Sequence, residues 1–208
     1  MSDVAWGIIG TLAGTIMGIL ATILVEHFRR KAAKMELKIT TLGAISSNFL
    51  RQYRLIRNVI EMSIEIENAS TNASLISSHQ MINYKTEVER QSDLQFYTND
   101  REKFIGYIKE SNDSLIMCDS ELKELRIRYL ILFPKDDKTP EIIQEVIDYE
   151  ILPEGDKPSR KEFEEAILNK KVHPSEWTPR LYAKHKERFK PIMDRLQTQI
   201  DIRTRELA

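Results

Sequence analysis

The chain has 208 residues, with 31 Lys and Arg against 32 Asp and Glu, and 41% of it is apolar. That balance excludes a disordered chain, a collagen-like repeat and a polybasic nucleic-acid tail. A single Cys excludes a disulfide framework and a Cys-based metal cluster, and it suits a reducing compartment.

The average conceals a partition. No Lys, Arg, Asp or Glu occurs between Asp3 and Glu26, and four of the seven glycines fall inside that gap. As a helix, residues 4–25 would extend ~33 Å, enough for a hydrocarbon core of ~30 Å. A cleaved signal peptide needs a basic start and a shorter apolar core. Here the start is Met-Ser-Asp, and Glu26-His27-Phe28-Arg29-Arg30 follows the apolar run. The sequence therefore predicts a retained, single-pass transmembrane helix. Arg29, Arg30, Lys31 and Lys34 follow it and no basic residue precedes it. The positive-inside bias puts the N-terminus outside and the C-terminal domain in the cytoplasm, with these four residues at anionic headgroups.

The span has two unlike faces. On a helical wheel Gly7, Gly10, Gly14, Gly18 and Ala21 share one side, with Thr11, Thr15 and Thr22 beside them. Bulky residues, among them Ile8, Leu12, Ile16, Ile19 and Ile23, take the opposite arc. Small residues let two helix backbones approach closely, and Thr hydroxyls can bond across such a contact. With one span per chain, that face predicts a homo-oligomer. In the alternative, the same threonines line a wet path through a ligand- or partner-gated, membrane-perturbing or pore-forming effector.

Past the membrane, Met35, Ile39, Leu42, Ser46, Phe49, Tyr53, Ile56, Ile60 and Ser63 form a seam stepping by four and three. That spacing predicts that one helix runs on to about Glu67, with an apolar stripe on one side. Asn68 to Ser78 is small and polar and predicts a loop. Residues 80–97 predict a further helix. Phe104, Ile108, Ser111, Leu115, Cys118, Leu122, Leu125, Tyr129 and Leu132 then make a second seam that ends at Pro134.

Shorter helices follow. Thr139-Pro140-Glu141 offers an N-cap, a proline in the first turn and early negative charge. Ser159-x-x-Glu162 is a capping box. Thr178-Pro179 opens a last helix striped by Leu181, His185, Phe189, Ile192, Leu196, Ile200 and Leu207, in which Pro191 predicts a kink or a break. The fold class is all-α: an N-terminal transmembrane helix continues into a long cytoplasmic helix, which packs in an antiparallel bundle with shorter C-terminal helices. The expected divisions are a transmembrane segment at 1–26, a juxtamembrane and long cytoplasmic helix at 27–67, and a helical domain at 68–208 packed against 35–67.

Catalytic signatures are absent: the chain has no phosphate-binding loop, no dinucleotide fingerprint and no HExxH. The four histidines lack ligand spacing. His185 lies on an apolar stripe and reads as a packed histidine, and Cys118 reads as a small core residue. Asp119, Glu121 and Lys123 read as the solvated flank of a seam helix. Asp136 to Asp156 is acidic, whereas Lys170 to Arg195 is basic with Trp177, Tyr182 and Phe189 interleaved. Arg180, Lys184, Arg188 and Lys190 are therefore candidates for a small anionic ligand, set against the reading that the two charged faces neutralise each other. No metal, cofactor or nucleic-acid partner is expected. The leading expectation is a non-enzymatic membrane protein presenting an interaction or sensing domain to a cytoplasmic protein partner. An enzyme with an unfamiliar helical site is the third class.

Overall fold

A computed structural model describes residues 2–78, 86–134, 139–149, 158–169 and 176–207; of these, the side chains of 2–13, 160, 163 and 169 lie outside the description. The described residues form five helices, α1 (Ser2–Ser77), α2 (Glu87–Leu132), α3 (Thr139–Ile147), α4 (Arg160–Asn169) and α5 (Trp177–Leu207). No strand occurs among them. The all-α bundle stands.

α1 is longer than its seam predicts. The stretch expected to be a loop, Asn68–Ser78, is helical as far as Ser77. Ala69, Leu75 and Ile76 are buried there, and Asn72 Nδ2 donates to the backbone and side-chain oxygens of Asn68 at 2.8 and 2.9 Å. Tertiary burial outweighs the weak helix propensity of Asn, Ser and Thr, each a cost of well under ~1 kcal/mol.

The second half of the expected helix at 80–97 belongs to α2, while residues 79–85 lie outside the described set. α2 starts at a capping box: Thr86 Oγ1 accepts from Glu89 N, and Glu89 Oε2 accepts from Thr86 N, each at 3.2 Å. Arg90 pairs with Glu87 and also donates to the Ile76 carbonyl at 3.4 Å, so the first turn of α2 caps the last turn of α1. α2 then runs unbroken for 46 residues to Leu132, next to Phe133 and Pro134.

α1 and α2 are antiparallel. Arg90 meets Ile76, Glu121 meets Asn48, and Lys38 sits over the rings of Tyr129 and Phe133. α5 lies antiparallel to α1 on its other flank: Tyr182 bonds Glu61, His185 stacks on Tyr53, Phe189 packs on Phe49, and Met193 meets Ser46. α3 bridges α2 and α5, and α4 covers α1. Both predicted seams are buried or half-buried throughout, with Phe49, Ile56, Ile60, Cys118, Leu122 and Tyr129 fully enclosed. α1 packs against both α2 and α5 besides α4, so its buried band is wider than one seam and takes in Thr41, Ile45, Asn48 and Gln52.

Pro191 does not split the last helix, which is continuous from Trp177 to Leu207. It faces solvent, where water can satisfy the Glu187 carbonyl that loses its backbone donor. Leu207, expected on the buried stripe, is 37% exposed.

Candidate functional site: an uncovered apolar helix and two clefts in the head

From Gly14 to Lys31 every residue of α1 is exposed, and the first half-buried position is Ala32. Ile16, Met17, Ile19, Leu20, Ile23, Leu24, Val25 and Phe28 all stand at roughly half exposure or more. A soluble domain leaves single apolar side chains exposed, but it does not leave a helix apolar all round without cover. Among the residues whose side chains are described, no helix is long and apolar enough to cross a membrane. Residues 4–13 of the expected span lie outside that set, and so do the side chains of Thr11 and the Gly7 and Gly10 positions.

The described part of the small face is open. A Cβ added at Gly14 or Gly18 would meet nothing within 4 Å. The fold of a single chain therefore gives no reason for glycine at either position. Ala21 and Thr15 lie on the same exposed length. Thr22 Oγ1 donates to the Gly18 carbonyl at 2.9 Å, which satisfies the hydroxyl proton inside the helix. Glu26 pairs with Arg30 at 3.0 Å, leaving Arg29, Lys31 and Lys34 as exposed positions around the same turns.

In the head, the four basic candidates separate. Arg188 is half-buried over the Tyr149 ring and lines a shallow cleft of about 460 Å³ with Glu145, Asp148, Tyr149 and Ile192. Arg180, Lys184 and Lys190 occupy exposed positions. Arg180 and Lys184 continue the Arg188 row at four-residue steps, whereas Lys190 lies roughly 200° round the helix from Arg188. Arg195 makes a two-pronged ion pair with Glu145. The acidic and basic segments thus meet where they are described, and the walls around Arg188 are themselves acidic.

Beneath that cleft His185 is buried. Its Nε2 faces the Tyr53 carbonyl at 3.4 Å and its Nδ1 lies 2.6 Å from the Tyr149 hydroxyl. The Nε2–H tautomer meets both contacts, with Tyr149 donating to Nδ1. Burial, aided by nearby Arg188 and Arg57, pushes the imidazole down to about 4, against the Tyr53 carbonyl, which favours the proton. Burial also lifts the Tyr149 phenol to about 12. His185 is a packed, neutral histidine with both ring nitrogens engaged. Burial likewise raises Cys118 above the usual thiol range, so it stays protonated and unreactive.

A second cleft, of about 420 Å³, lies between α1 and α2 and is lined by Ser47, Asn48, Arg51, Glu121, Glu124 and Arg128 among others. Asn48 Nδ2 donates to Glu121 at 2.7 Å and Arg51 approaches the same carboxylate at 3.7 Å. Glu121 therefore serves the α1–α2 contact and does more than solvate a flank; Asp119 and Lys123 pair with each other at 2.6 Å on the helix surface. Asn48 and Glu121 escape a sequence reading because they are 73 residues apart and off both seams. No group of three or more His, Cys, Asp or Glu that could hold a metal occurs among the described residues.

Comparison with family models, curated proteins and solved structures finds no match to this chain.

Proposed function

We propose that the protein is a non-enzymatic, single-span membrane protein that self-associates through the Gly/Thr face of its N-terminal helix. Its helical head acts as an interaction or sensing domain on the cytoplasmic side. The observation that carries the reading is the helix from Gly14 to Val25, which has no charged residue on any side and is uncovered by the rest of the chain. In water that surface would be costly at about 25 cal/mol per Å² of apolar area; in lipid it costs nothing. Gly14 and Gly18, like Gly43 and Gly106 in the head, have open space beside them, and on the apolar segment a close approach between copies would use it. The absent charge between Asp3 and Glu26 and the basic residues that follow set the orientation.

The internal bond of Thr22 to the Gly18 carbonyl favours a dry helix contact over a wet, threonine-lined path. In the head, packed aromatics enclose the buried histidine, and its two ring nitrogens are taken up by the Tyr149 hydroxyl and the Tyr53 carbonyl, which favours a binding role over catalysis.

Membrane insertion is tested by alkaline extraction of membranes carrying the full chain. Retention in the pellet supports the reading. Release into the supernatant would refute it.

A further inference from the structure

α5 returns along α1 towards the membrane. Met193 meets Ser46, and beyond it Leu196 is fully buried, Ile200 packs on the core and Arg203 stays half-buried. The helix thus keeps to the bundle after Pro191. Fourteen residues separate Met193 from Leu207, ~21 Å of helix, which places Leu207 at the level of Ala32 on α1. Ala32 is also where the cover of α1 begins. Only ~9 Å of helix separates it from Glu26 at the end of the expected span. The head is not held off on a stalk; its end begins within two turns of the apolar segment.

That end has the character of a membrane surface ligand. Ile202 and Leu207 on α5, and Leu37 and Phe28 on α1, are exposed apolar groups at this end of the bundle, whereas Ile131 near the end of α2 is level with Lys38, ~18 Å of helix beyond Glu26. Over residues 26–38 and 203–207 there are seven basic side chains against three acidic ones, Glu26, Glu36 and Glu206. Arg30 is paired with Glu26 and Arg203 with Glu206, which leaves the balance strongly positive. Apolar side chains mixed with excess positive charge suit an interface of anionic headgroups.

The geometry points to a docking surface for an anionic lipid leaflet, formed by the C-terminal turn of α5 beside the basic turns of α1. This rests on the membrane reading of α1. On it, the head meets the bilayer at the C-terminal end of α5, so a tilt or rotation of the span is transmitted to α5 directly.

The test uses the full chain in vesicles of phosphatidylcholine with or without phosphatidylglycerol. A fluorophore is placed in turn at Ile16→Cys, Ile131→Cys, Leu207→Cys and Phe96→Cys, all exposed positions, with the buried Cys118 of the unsubstituted chain as the labelling control. Nitroxide lipids then report contact with the bilayer. The expected result is quenching at Ile16 and Leu207 but not at Ile131 or Phe96, with the Leu207 signal falling at least twofold in high salt or without phosphatidylglycerol. Quenching at Ile16 alone would overturn the docking surface and leave the span intact. Quenching at Leu207 that ignores lipid charge and salt would overturn the anionic partner. No quenching at Ile16 would overturn the membrane reading itself, and the docking surface with it.

Discussion

The Tyr149 hydroxyl lies 2.6 Å from Nδ1 of His185 and joins the turn after α3 to the middle of α5. The imidazole is neutral when folded, with its pKa pushed down to about 4, and in the unfolded chain it titrates near its ordinary value of ~6.5. Between those values the unfolded state binds the extra proton, so stability is complete above about pH 6.5 and falls as pH drops towards 4. Urea unfolding of the full chain in detergent should show a loss of roughly 2–3 kcal/mol between pH 7 and pH 4. His185→Gln should flatten that slope; an unchanged slope would assign the loss to other groups.

Glu121 accepts from the buried Asn48 amide, whose residue is only 8% exposed. Glu121→Ala strips the amide of its acceptor and should cost about 1 kcal/mol in denaturant unfolding. A mutation that leaves stability unchanged would show that the pair is not a structural contact of the α1–α2 interface.

Pro191 sits on the solvent side of a continuous helix. Pro191→Ala restores a backbone donor to the Glu187 carbonyl and relieves the ring's clash, so the thermal midpoint by circular dichroism should rise, by up to ~3 kcal/mol of stability. A lower midpoint would mean that α5 needs the proline's geometry to follow α1 as far as Arg203.

If the Gly/Thr face is a dry contact, vesicles holding the full chain retain an entrapped dye. Leakage that Thr11, Thr15 and Thr22 changes to Leu abolish would instead establish the wet, gated path.

Much of the bundle was legible because its helices obey one rule each: every residue of the seams Met35–Ser63 and Phe104–Leu132 is covered to some degree. The failures came where two rules compete. Asn68–Ser78 has loop composition, yet Ala69, Leu75 and Ile76 bury an apolar face and the helix persists. Leu207 fits the α5 stripe by spacing, but the bundle ends before it. His185 was legible as a packed residue from its stripe; its partners were not, because Tyr53 comes from α1 and Tyr149 from the turn after α3. The basic row of α5 was visible in the sequence, whereas the acidic walls of Glu145 and Asp148 around Arg188 required the packing of α3 on α5.

Self-association through the glycine face is the central claim, and counting copies of the full chain in single lipid nanodiscs tests it most directly. A side chain at Gly14 or Gly18 meets open space in the single chain, so replacement by Ile should leave the head folded. The unaltered protein should occupy a nanodisc as two or more copies, and the Gly10→Ile, Gly14→Ile, Gly18→Ile variant as one. One copy of the unaltered protein, or an unchanged number in the variant, would contradict it.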